Sequence, residues 1–171
     1  MAGQPNVLLT GFMGTGKSVV GRALAAELGR EFVDTDHRIV DANGPIPAIF
    51  AEHGEAAFRA FELEVAEELA GRSGLVVATG GGMLLQPAAF EALSATGRVF
   101  CLAASPRTIV ERVLSDGVAD RPLLAGDDPE LRVGELLAER AERYAAFEQV
   151  PTDGRSIAEI VADLVDRLGA G

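Results

Sequence analysis

Tryptophan is absent from the 171 residues, cysteine occurs once and histidine twice. A single cysteine, Cys101, excludes an intrachain disulfide. Its setting in the apolar run "RVFCLAA" reads as a buried, inert thiol rather than a nucleophile. Two histidines and one cysteine leave no credible transition-metal site, and His37 and His53 read as solvated side chains. No apolar run reaches the roughly 18 residues that would span a bilayer. The N-terminal "MAGQPNVLLTG" has no basic segment ahead of its short apolar stretch, so no signal peptide is read and a cytoplasmic protein is expected. Positive charge is scarce too. The net charge of −11 opposes general affinity for nucleic acid or anionic membranes. Anionic substrates would have to be met by basic residues gathered locally. No exposed apolar stripe stands out, and the expectation is a monomer.

What is present is one domain's length of chain, 48% hydrophobic and 24% charged, enough for a substantial core. Strand and helix patterns alternate. "NVLLTG" (6–11) reads as a buried strand and "KSVVGRALAAEL" (17–28) as a helix with Val20, Leu24 and Leu28 on one stripe. "REFVDTD" (30–36) reads as a short strand ending in carboxylates. Residues 55–71 form a helix with Phe58, Phe61, Val65 and Leu69 inward and Gly71 as its stop. "GLVVATGGG" is the third strand and "GRVFCLA" (97–103) the fourth. Ser105 and Pro106 open a further helix, a long amphipathic helix covers about 130–148, and Ser156 with Glu159 makes a capping box for the last one. Such alternation implies a parallel sheet covered on both faces, with ligands beyond the carboxyl ends of its strands. "SDGVADRPLLAGDDPE" (115–130) breaks the pattern and reads as a mobile surface loop.

"GFMGTGKS" (11–18) fits the pattern G-x-x-x-x-G-K-[ST] between a strand and a helix, the context of a phosphate-binding loop. Gly11, Gly14 and Gly16 let backbone N–H groups turn toward phosphate oxygens. Lys17 can reach the β- and γ-phosphates and Ser18 can place its hydroxyl on Mg²⁺. Asp34 and Asp36 sit just past a strand end; they serve a metal shell and a substrate hydroxyl, or they simply cap a helix. Arg59 and Glu62 lie three apart on one helix face. They form either a solvated ion pair or an arginine held ready to clamp a carboxylate. Arg121 in the mobile loop is placed to swing onto a transferring phosphoryl group. Arg140, Arg143 and Tyr144 on the late helix read by default as a salt-bridged surface face. The glycines of "VVATGGGML" raise a separate question. Three together imply bare backbone held close to something, and the strand lacks the terminal acidic residue many phosphate-loop proteins use for the metal.

Taken in order, "GFMGTGKS", "DTD" (34–36), "GEAAFRAFE" (54–62), "TGGG" (79–82), "RPLLAG" (121–126) and "ERAERY" (139–144) resemble the shikimate kinase family over nearly the whole chain. The resemblance implies an α/β fold, the three-layer P-loop kinase type. It has a five-stranded parallel sheet flanked by helices, in one domain over 1–171, with a substrate-binding subregion about 34–62 and a mobile lid about 115–126. It implies transfer of the ATP γ-phosphoryl group to the 3-hydroxyl of shikimate. Asp36 would bind the ring hydroxyls and act as base; Arg59 and Arg140 would grip the carboxylate, with Glu62 orienting Arg59. Gly80, Gly81 and Gly82 would line the pocket and Phe50 and Phe58 would wall the ring. Lys17 and Arg121 would hold the transferring phosphate. ATP would lie on Gly14, Thr15, Gly16, Lys17, Ser18 and Val19, with Arg112 stacking on adenine and "PTDGR" (151–155), including Thr152 and Arg155, forming the adenine loop. Ser18 and Asp34 would serve Mg²⁺. Two other readings remain at this level: a kinase for gluconate or a nucleoside monophosphate, and a nucleotide-dependent switch.

Overall fold

A computed structural model describes residues 3–116 and 128–169. Five strands, β1 (Asn6–Thr10), β2 (Glu31–Asp34), β3 (Leu75–Ala78), β4 (Gly97–Ala103) and β5 (Glu148–Pro151), form one parallel sheet in the order β2-β3-β1-β4-β5. Among the described residues, seven α-helices accompany them: α1 (Lys17–Leu28), α2 (Thr35–Asn43), α3 (Ile46–Ala70), α4 (Pro87–Ser94), α5 (Pro106–Ser115), α6 (Pro129–Ala145) and α7 (Ile157–Gly169). The two-residue period of the strands decides which helix covers which face. Val7, Leu9, Val76, Phe100 and Leu102 meet α1 and α7 through Val20, Leu24, Ile160 and Leu164. Leu8, Val33, Leu75 and Val77 meet α3 and α4 on the opposite side. Cys101 packs there with Ile109, Val113, Val133 and Tyr144 of α5 and α6. β1 is buried along its whole length, as a central parallel strand must be.

Several element boundaries differ from the sequence reading, each for a local reason. β2 stops at Asp34 because the Asp34 carboxylate caps a helix. Its Oδ1 accepts from the N–H groups of Asp36 and His37 at 3.1 and 3.3 Å, so α2 begins at once and Asp36 lies in its first turn. β3 stops at Ala78, and the glycines after it form a turn leading into a short 3₁₀ segment, Met83–Leu85. The helix expected from 55 is preceded by another helical stretch from Ile46, and the two are joined across a kink at Gly54 (φ 81°, ψ 174°). α6 ends at Ala145 rather than 148, because the buried Val150 belongs to β5 beside β4. The last helix opens with the expected reciprocal cap. Ser156 N donates to Glu159 Oε2 at 2.7 Å and Glu159 N to Ser156 Oγ at 3.3 Å. The lid expected over about 115–126, with Arg121, lies outside the described residues apart from Ser115 and Asp116.

Candidate active site

The carboxyl ends of β1, β2 and β3 open into a cavity of about 1010 Å³. The phosphate-loop residues Gly14, Thr15, Gly16, Lys17, Ser18 and Val19 form one end of its lining. Gly11, Gly14 and Gly16 all take positive φ, between 73° and 135°, which curls the loop around its own amides. Thr15 Oγ1 donates to the Phe12 carbonyl at 2.7 Å, bracing the curl. Lys17 Nζ donates to the carbonyls of Gly11 and Phe12 at 2.7 and 2.8 Å, which holds the ammonium over the loop. Ser18 Oγ donates to Asp34 Oδ2 at 2.6 Å. Of the roles the sequence left open for Asp34, the helix cap is present through one oxygen, while the other oxygen accepts from Ser18.

The far end is lined by Asp36, Phe50, Phe58, Arg59, Glu62 and Arg140, with Gly80, Gly81 and Gly82 between. Arg59 and Glu62 are not a solvated surface pair. Glu62 is 1% exposed and accepts from Arg59 Nη1 at 2.6 Å, while Arg59 Nη2 reaches Glu55 at 3.3 Å. Burial pushes the Glu62 carboxyl above the usual carboxylate range; Arg59 pulls it back and the neighbouring Asp36 charge adds to the rise. The Arg59 guanidinium also lies over the Phe58 ring at 5.5 Å, and Phe58 packs on Phe50 with centroids 5.0 Å apart. Arg140 likewise leaves the expected surface role. It lies over the ring of Phe12 at 5.4 Å, and its Nη1 reaches the Tyr144 hydroxyl at 3.5 Å. Tyr144 in turn donates to the Gly81 carbonyl at 2.8 Å.

The glycines are needed for closeness, because none of the three takes a positive φ. A β-carbon on Gly80 would stand 2.8 Å from Asp36 Oδ1 and 2.9 Å from Glu62 Oε1. One on Gly82 would stand 2.8 Å from Arg59 Nη1, and one on Gly81 3.3 Å from the Gly11 carbonyl. The turn thus lies against the side chains that would grip a substrate, and against the phosphate loop itself.

At the nucleotide end, Arg112 Nη1 donates to Thr152 Oγ1 at 3.0 Å and to the Gly14 carbonyl at 3.3 Å, tying α5 to β5 and the loop. Arg155 lines the cavity, but its guanidinium is turned into the protein, onto the Pro151 carbonyl, Asp163 and the Glu159 carbonyl. His37 and His53 are well exposed, as expected, and burial pushes the Cys101 thiol up to about 11, leaving it protonated near neutral pH.

Several site residues escaped the sequence. Thr35 Oγ1 accepts from Gly80 N at 2.9 Å, Gln86 Nε2 donates to Glu62 Oε2 at 2.6 Å, and Ile157 and Ile160 line the nucleotide end. Thr35 stands in plain view between the two aspartates, whereas nothing in the pattern around Gln86 marks it.

A family model for shikimate kinase matches residues 13–169. The shikimate kinase of Symbiobacterium thermophilum is 44% identical over 166 residues, spanning 95% of this chain and 95% of its own. That of Thermus thermophilus is 44% identical over 164 residues, spanning 95% and 89%. Among solved structures, shikimate kinase from Acinetobacter baumannii in complex with shikimate superposes with a TM-score of 0.88 at 36% identity, covering 98% of this chain and 94% of that one. With a family match over nearly all its residues and full-length relatives at this identity, the chain belongs to the shikimate kinase family.

Proposed function

We propose that this chain transfers the γ-phosphoryl group of ATP to the 3-hydroxyl of shikimate, giving shikimate 3-phosphate and ADP. One observation carries the reading: the phosphate loop and the cluster Asp36, Arg59, Glu62 and Arg140 line one cavity, with the glycine turn lying against both. Arg59 and Arg140 suit the shikimate carboxylate, since a guanidinium matches a carboxylate in shape as well as charge. Glu62 holds Arg59 at its angle. Phe50 and Phe58 offer a wall for the ring, and Gly80, Gly81 and Gly82 let it lie against backbone.

Phosphoryl transfer passes through a loose, highly charged state, so positioning and positive charge matter more than a strong base. Asp36 takes the proton of the 3-hydroxyl as its oxygen bonds to the γ-phosphorus and the bond to the β-phosphate oxygen breaks. Lys17 and the loop amides meet the charge on the phosphates, and Arg121 adds a further cation. Adenine stacks on Arg112, which the buried Thr152 hydroxyl holds in place, with Arg155 in the same stretch of cavity wall. Ser18 and Asp34 fit Mg²⁺, being a hydroxyl and a carboxylate 2.6 Å apart in the cavity wall. Bound with ATP, the ion neutralises charge on the β- and γ-phosphates. Among the described residues no group of three or more His, Cys, Asp or Glu could hold a metal alone. Mg²⁺ in such enzymes draws its other ligands from phosphates and water.

The test is ADP release with a panel of acceptors. The expected result is release that depends on shikimate and not on gluconate or nucleoside monophosphates. Equal release with every acceptor, or with none added, overturns the reading.

A further inference from the structure

Gln86 stands where the 3₁₀ segment ends and α4 begins. Its N–H donates to the Met83 carbonyl at 3.2 Å, and Pro87 opens the helix directly after it. The turn before and the proline ring after leave its backbone little freedom. From this stiff mount its Nε2 donates to Glu62 Oε2 at 2.6 Å, the oxygen that also accepts from Arg59 Nη1 at 2.6 Å. Glu62 Oε1 faces the other way, toward Gly80 and Asp36. Glu62 thus divides its two oxygens: one holds Arg59 and Gln86, the other borders the pocket beside a second carboxylate.

A carboxylate buried to 1% exposure needs donors to remain ionised, and one arginine shared with Glu55 supplies only part of them. Gln86 supplies a second donor to Oε2 without adding a charge that would compete with Arg59 for the substrate. The same side chain ties the end of the 3₁₀ segment to α3. The geometry points to Gln86 as a positioning residue for substrate binding: its amide pins Glu62 Oε2, so that Glu62 stays ionised and presents Arg59 to the shikimate carboxylate. The inference rests on the assignment of Arg59 to that carboxylate.

Gln86→Leu removes the donor at similar size. Hydrogen bonds to charged groups are strong enough that the KM for shikimate should rise about tenfold. The values of kcat and of the KM for ATP should stay within about twofold of the parent. The acid limb of kcat/KM for shikimate should move to higher pH, because a donor that favours the charged form of Glu62 is gone. Gln86→Glu, which sets a second carboxylate on Glu62, should move that limb further. A purely structural role would lower Tm and leave the limb in place. A folded Gln86→Leu protein with the parental KM and an unmoved limb overturns the proposal. If that variant does not fold, Gln86→Glu decides by the same two readouts, and loss of the fold in both assigns Gln86 to stability and overturns it too. Arg59→Ala separates the failures. If it raises the KM while the Gln86 variants do not, the proposal alone falls; if it leaves the KM unchanged, the Arg59 assignment falls and the proposal with it.

Discussion

Glu62 carries an electrostatic burden that an ordinary surface glutamate does not. Burial raises its pKa, the Arg59 ion pair opposes the rise, and the charge on Asp36 adds to it. Because the folded value lies above the unfolded one, this group favours folding most at low pH, and its contribution is lost as pH rises through the raised value. Its effect on binding runs the opposite way. As pH falls, Glu62 takes up a proton before ordinary glutamates do and releases Arg59 from its anchor. A pH profile of kcat/KM for shikimate should therefore begin to fall above the usual glutamate range, and an acid limb confined to that range would contradict the assignment. The glycine turn makes a sharper claim about individual atoms. In Gly82→Ala the new methyl displaces the flexible end of Arg59, so the KM for shikimate should rise at least tenfold while Tm changes little. In Gly80→Ala the methyl displaces Asp36 and Glu62 together, and kcat should fall as well. Steady-state kinetics of the two variants, with melting curves, check both.

At the scale of the elements, the kink at Gly54 joins two helical stretches at a φ and ψ that only glycine adopts comfortably. No neighbour lies within 4 Å of a β-carbon built there, so any penalty for Gly54→Ala is backbone strain alone. It should destabilise the protein by about 1–3 kcal/mol, read as a Tm several degrees lower; an unchanged Tm would show that the kink relaxes freely. α7 is held by Asp163, whose carboxyl is lowered by hydrogen bonds first from Arg167 and then from Arg155. That contribution is present above the ordinary aspartate pKa and is lost as pH falls through the lowered one. The long periodic elements α1 and β4 and the caps at Ser105 and Ser156 were legible in the sequence, because period and capping are local signals. The β2–α2 boundary was not, since only the folded-back Asp34 carboxylate decides where the strand stops. β5 was hidden too: four residues hold too little period to separate them from the helix before. In the site, the phosphate loop could be read from spacing. The inward roles of Arg59 and Arg140 could not, because a charged residue on an amphipathic helix looks the same whether it faces water or a cavity. Spacing offered the clamp as one of two readings of Arg59, and only the ordered resemblance pointed to Arg140.

At the scale of the whole molecule, the chain has a net charge of −11 and yet must collect two anions in one crevice. Lys17, its sole lysine, Arg59, Arg112, Arg140 and Arg155 all line the same cavity, where they match in number the acidic Asp34, Asp36, Glu62, Glu111 and Asp116, so the basic residues are gathered there relative to the rest of an acidic chain. Among the described residues no helix is long and apolar enough to cross a membrane. The cations divide by task. Arg140→Ala should raise the KM for shikimate strongly with a modest change in kcat, since its partner is a carboxylate that does not react; an unchanged KM would remove it from the site. Arg121→Ala should instead depress kcat more than it raises that KM, and an unchanged kcat would end its role as a phosphate clamp. The central claim is a transfer between two substrates in one cavity, as opposed to nucleotide hydrolysis, and stoichiometry tests it most directly. Phosphorus NMR of a reaction of this protein with ATP, Mg²⁺ and shikimate should show one organic phosphate, on the 3-oxygen of shikimate, formed mole for mole with ADP. ADP accumulating with inorganic phosphate, or a phosphoryl group on any other oxygen, would contradict it.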